Sequence, residues 1–169
     1  MNAMPKPNAS LILVAALAVA FLAAALSMLL LPIQPQLITG SSSSAKTPTV
    51  NVLLYAGEIS GSKYGFGYSA DNLTSPGPTL RFKTSDVVNV TVINAGKMPH
   101  FFAVVNAPRT GATVLFNAQV ASSSNPLQPG QKGTVIFTPN SPNDQYYYIC
   151  PFRGHAESGM YGSVIVTTG

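Results

Sequence analysis

Residues 146–162 read YYYICPFRGHAESGMYG. An aromatic run ends at the chain's single cysteine, Cys150, and a second run opens just past Met160. Tyr, Ile and Val favour extended chain because their bulky side chains pack well on a pleated surface. Between the two runs, Pro151, Gly154 and Gly159 permit a tight path. His155 stands five residues after Cys150, and Met160 ten. A loop of this length between two strands curls back and aims a thiol, an imidazole and a thioether at one centre. Those donors suit a soft, redox-active copper ion. A plane of one thiolate and two imidazoles needs a second histidine, and the chain holds only one other, His100. Taken singly, a Cys is usually a small buried hydrophobe and a Met a gap-filler. Their joint spacing on one loop favours a metal.

The same texture repeats outward from that loop. Val50–Tyr55 and Thr79–Phe82 read as strands, the latter after the turn signal Pro76-Gly77-Pro78. Val87, Val88, Val90, Val92 and Ile93 come close to strict alternation, followed by Phe101–Val105 and Val114–Phe116. Thr134–Phe137 follows Pro129-Gly130, and Tyr146–Cys150 and Tyr161–Val166 flank the loop. Short strands about 8–12 residues apart, without helical periodicity, predict an all-β sandwich or barrel. His100 falls between two of these strands, where a sandwich can bring it beside the Cys150 strand. The segment 111–130 is less regular and is expected to form a long loop or a short helix.

The 169 residues are 46% hydrophobic and only 8% charged, against about 25% charged in an average soluble domain. One cysteine excludes an internal disulfide and any zinc site built from several thiolates. Two histidines exclude a multi-histidine cluster. Nine Lys and Arg against five Asp and Glu give a formal charge of +4, but the basic residues are scattered singly. No nucleic-acid footprint is present in that pattern. Few carboxylates suit an acidic exterior, since carboxylates are protonated below about pH 4.

Ala9–Leu31 is an apolar run of 23 residues, broken only by Ser10 and Ser27. As a helix it would span about 34 Å, against a hydrocarbon core of about 30 Å. It is longer than the apolar core of a signal peptide, and no clear Ala-x-Ala site follows it. An uncleaved transmembrane anchor is therefore expected. Lys6 places the short amino terminus, residues 1–8, in the cytoplasm. Residues 32–49, PIQPQLITGSSSSAKTPT, have linker composition. Residues 50–168 remain as one domain. Asn72-Leu73-Thr74 and Asn89-Val90-Thr91 match the glycosylation pattern, which is too short to carry weight.

The Cys-x₄-His-x₄-Met loop, with Tyr-Tyr-Tyr before it and Gly-Met-Tyr-Gly at its end, resembles the carboxy-terminal loop of the cupredoxins, the small blue-copper proteins. Within them it is most similar to rusticyanin and the archaeal sulfocyanins. Residues 78–105, PTLRFKTSDVVNVTVINAGKMPHFFAVV, fit the family's earlier pattern of strand, Asp, strand, Asn and ligand His. The resemblance covers residues 50–168, and the apolar run and Ser-rich linker are sulfocyanin-like. One position departs: Phe101 follows His100 where many relatives carry Asn or Ser.

The resemblance implies a cupredoxin-like Greek-key β-sandwich preceded by one N-terminal transmembrane helix. It implies one type 1 copper held by His100, Cys150 and His155, with Met160 as a long axial ligand. The amide of Phe101 should donate to the Cys150 sulfur, and that of Phe152 should add a second bond. Phe66, Phe101, Phe102, Phe152 and Tyr161 are candidates for a dry shell that favours reduced copper. His155 should keep one edge near solvent as the electron port. The expected protein is a monomeric, high-potential one-electron carrier and not an enzyme. It would sit in the cell membrane with its copper domain on the extracytoplasmic face of an acidophile. Its expected partners are redox proteins of a respiratory chain, a cytochrome or a terminal oxidase. A binuclear copper centre would need two Cys, and a multicopper oxidase or nitrite reductase more His. A Cys–His hydrolase would need an orienting Asp or Asn, and none is evident. Copper storage or delivery is the remaining alternative.

Overall fold

The computed structural model describes residues 46–169. The expected cytoplasmic terminus, the apolar run 9–31 and the linker as far as residue 45 lie outside the described residues. Among the described residues no helix is long and apolar enough to cross a membrane.

Among the described residues nine strands follow one another: β1 (Val50–Ser60), β2 (Lys63–Gly67), β3 (Leu80–Lys83), β4 (Val88–Asn94), β5 (Phe102–Val105), β6 (Val114–Val120), β7 (Lys132–Phe137), β8 (Asn143–Ile149) and β9 (Tyr161–Thr167). They form two sheets, of order β2-β1-β4-β7 and β3-β9-β8-β5-β6. β1 pairs parallel with β4 and β3 parallel with β9; the other pairs are antiparallel. The period-2 alternation of a strand sets which residues face inward. In β4, Val88, Val90, Val92 and Asn94 are buried while the residues between them are half-buried. In β9 the buried set is Gly162, Val164 and Val166. These rows meet Leu54, Phe102, Val104 and Tyr148 in a single apolar core between the sheets.

Two elements differ from expectation. β2, with sequence KYGFG, is hidden by its glycines, which are poor strand formers. The structure shows why they are there: a Cβ on Gly65 or Gly67 would run into the backbone carbonyls of Thr74 and Asn72. β6 runs on to Val120, where the sequence suggested a loop or helix from residue 111. It is an edge strand that bends, with Phe116 and Asn117 at positive φ (56° and 53°), and such irregularity blunts an edge against unwanted pairing.

Tyr148 is the largest fully buried side chain among the described residues. Its ring packs against Phe66 and Phe102 at centroid distances of 5.1 and 5.6 Å. Its hydroxyl donates to the Pro78 carbonyl at 2.7 Å, and burial pushes its pKa upward. Gly162 faces it, where any Cβ would overlap the ring. Tyr148→Phe keeps the packing and leaves the Pro78 carbonyl unpaired. The expected loss is about 1–2 kcal/mol, read as a lower urea midpoint with unchanged slope.

Candidate metal centre

The site lies at one end of the sandwich, where two loops meet. The first connects β4 to β5. Fully buried Asn94, at the end of β4, shapes it: its Nδ2 donates to the carbonyls of Met98 and Leu127, both at 2.8 Å, and its Oδ1 accepts from the Gly96 amide at 2.9 Å. His100 is then locked by a two-way backbone exchange with Leu127, at 3.1 and 2.8 Å.

The second loop joins β8 to β9 and closes on itself. The Cys150 amide donates to the Met160 carbonyl at 3.0 Å, the Met160 amide to His155 at 2.9 Å, and the His155 amide to Phe152 at 3.0 Å. Gly154 (φ 82°) and Gly159 (φ 92°) supply left-handed turns that other residues adopt at a cost. The loop is also tied from outside. Thr110 donates its amide and hydroxyl to Glu157, at 2.8 and 2.9 Å, and the Ser75 hydroxyl donates to the Gly159 carbonyl at 3.0 Å.

These two loops bring three donors together. The Cys150 sulfur is 3.8 Å from His100 Nδ1 and 3.6 Å from His155 Nδ1. Across the trio, candidate ligand atoms lie within 4.8 Å of one another, and all three residues are buried. Met160, also fully buried, shares the apolar cluster of Cys150, Phe101 and Phe152. The Phe101 amide donates to the sulfur at 3.5 Å. Burial raises the thiol pKa to about 11, while the amides of Phe101 and Phe152 pull the other way. Burial, reinforced by the charge of His155 and opposed by Glu58, lowers His100 to about 4. Burial also lowers His155. Burial thus favours the neutral form of all three groups, and a cation that binds the sulfur displaces the thiol proton to solvent. Two imidazoles and one thiol at this spacing fit a soft transition metal of the copper class.

Of the expected apolar shell, Phe152 lies against His155 at a centroid distance of 4.7 Å. Phe66 and Phe102 sit with Tyr148 in the core, and Tyr161 packs against Tyr147 in a separate small cluster. His155 is only 4% exposed, more covered than the resemblance implied. The cover is Tyr64 of β2, stacked on the imidazole at 3.9 Å with 16° between the planes. Tyr64 escaped the sequence reading with its strand. Glu58, near the end of β1, escaped it too. Its Oε1 lies 3.8 Å from His100 Nε2, a fully buried nitrogen without a hydrogen-bond partner. Leaving a buried ring nitrogen unpaired costs about 1–3 kcal/mol. Burial pushes the Glu58 carboxyl up, but the amides of Lys97, Glu58 itself and Met98, with the His100 charge, leave it lowered.

A sandwich that gathers one thiol and two imidazoles at its end is the framework of a blue-copper domain, and the chain belongs to this cupredoxin family, with the multicopper oxidase family model matching residues 68–169. Its site is of the kind that holds one type 1 copper. Over 93 residues the chain is 33% identical to rusticyanin of Acidithiobacillus ferridurans, covering 53% of this chain and 50% of that protein. It is 33% identical over 94 residues to a rusticyanin of Acidithiobacillus ferrooxidans, covering 53% and 60%. The chain spans about half the length of the curated relatives it matches. A multicopper oxidase from Pseudomonas thermotolerans superposes with a TM-score of 0.55 at 19% identity, over 72% of this chain and 30% of that one. A copper nitrite reductase from Nitrosomonas europaea gives 0.52 at 24%, over 70% and 41%. These two likenesses are of fold.

Proposed function

We propose that the protein carries single electrons through one copper held by His100, Cys150 and His155, with Met160 as a weak fourth ligand. The carrying observation is the buried thiol with both imidazole Nδ1 atoms within 3.8 Å of it. Bound copper would supply a one-electron Cu(II)/Cu(I) couple. The chain's own residues do the rest. The closed hydrogen bonding of the 150–160 loop holds the donors in one arrangement, which limits rearrangement between oxidation states. The amide on the sulfur and the buried Met160 and Phe152 favour the less charged, reduced state, so a high potential is expected. Tyr64 and Phe152 keep water from His155, and desolvation disfavours its protonation, which suits acid surroundings. Both histidines of the chain serve this one centre, leaving no third imidazole for a separate catalytic copper. We therefore read a carrier, not an enzyme.

The further reading rests on sequence. Residues 9–31 would anchor the chain in the cell membrane, and residues 32–49 would hold the copper domain on its extracytoplasmic face. There it would exchange electrons with a cytochrome or terminal oxidase of a respiratory chain. The test loads the protein with copper, records its oxidised visible and paramagnetic resonance spectra, and follows copper transfer to a chelator. Blue absorption and slow metal loss are expected. Colourless protein would overturn the assignment, and rapid copper exchange would favour storage or delivery.

A further inference from the structure

We propose that Glu58 is a positioning residue for His100: its carboxylate takes the hydrogen bond from Nε2 and leaves Nδ1 bare toward Cys150. This rests on the copper reading above. A neutral imidazole carries its proton on one nitrogen only. In both His100 and His155 the nitrogen facing the sulfur is Nδ1. That atom accepts a metal only when it is unprotonated, so the proton of His100 belongs on Nε2. Nε2 is sealed from solvent and has no partner within hydrogen-bond reach. Glu58 Oε1 stands 3.8 Å away, and a side-chain shift of about 1 Å makes the bond.

The carboxylate sits in a built seat. Its Oε2 accepts from the Lys97 amide and its Oε1 from the Met98 amide, each at 2.8 Å. Both amides belong to the loop that carries His100. Gly96 leaves the room: a Cβ there would overlap Oε2. Glu58 is thus gripped by the His100 loop itself, with one oxygen turned to the ring. Outer partners of this kind fix the tautomer and ring orientation of metal-binding histidines. The competing role is a plain cap on the turn at residues 96–98, and the two roles separate on the imidazole.

The experiment compares the full chain with Glu58→Ala and Glu58→Gln, using nitrogen-15 NMR of the histidine rings without copper and Cu(I) competition with a chelator. The unsubstituted chain is expected to show His100 as a single tautomer protonated at Nε2. Glu58→Ala should mix the tautomers and weaken copper binding about 10- to 100-fold. Glu58→Gln keeps one acceptor oxygen for Nε2 but sets its NH2 against the Lys97 amide, so it should restore the tautomer and the affinity in part. An unmixed tautomer and unchanged affinity in Glu58→Ala would overturn the proposal and leave Glu58 a turn cap. A Glu58→Gln tautomer mixed as fully as that of Glu58→Ala would also overturn it. If Glu58→Ala fails to fold, the unsubstituted chain still decides: His100 protonated at Nδ1 ends the idea. The metal-free tautomer is read independently of colour, so a colourless copper-treated protein refutes the copper reading without touching this result.

Discussion

Cys150→Ser should abolish the blue colour of the copper-loaded protein and weaken its Cu(I) binding by more than about 100-fold, the upper end for loss of a mere outer partner. Sulfur is the soft donor of the set, and no other thiol exists in the chain to replace it. The hydroxyl is nearly the same size, so the fold should survive, with the Phe101 amide still able to donate to it. Burying a hydroxyl among Phe101, Phe152 and Met160 should cost about 1–3 kcal/mol. Visible absorption, chelator competition and circular dichroism measure the three parts. Persistent blue absorption in the variant would refute Cys150 as the colour-bearing ligand.

The second large effect is acid lability of the copper-free protein. His100 is wholly buried, and its pKa falls from 6.5 to about 4 on folding. The unfolded chain therefore takes up a proton first as the pH drops. Stability is complete above about pH 6.5 and declines as the pH falls to about 4, below which both states are protonated. The pKa difference corresponds to about 3 kcal/mol over that window. Burial lowers His155 as well, so it acts in the same direction. Copper on the imidazoles excludes the proton, so the loaded protein should lose far less. Urea unfolding between pH 7 and pH 4, with and without copper, measures this. A copper-free midpoint that stays level across that range would contradict it.

The strands nearest the site were legible in the sequence because they alternate cleanly and end at turn residues. β4 and β9 are of this kind, and the 150–160 loop announces itself by donor spacing. The structure gathers His100, Cys150 and His155 there because the β5–β8 pairing sets Ala103 opposite Ile149, so the chain running back through Phe102 and Phe101 to His100 meets the chain running on to Cys150. What stayed hidden at the site came from the β1–β2 hairpin. β2 reads as a glycine-rich turn until the backbone of residues 72–74 is seen pressing on it. Tyr64 and Glu58 lie 36 and 42 residues before His100, and nothing local marks either one. Their role depends on the β1–β2 hairpin closing over the end of the sandwich. A pattern in one chain records which residues face inward, not which distant side chain covers them.

The pairing of β9 with both β3 and β8 also bears on biogenesis. Cys150, His155 and Met160 lie close together in the chain, and the loop holding them is bracketed by β8 just before it and by β9, which also pairs with the much earlier β3. A nascent chain stopped short of Tyr161 would hold His100 without the closed pocket. The closed pocket thus requires a chain that extends through β9.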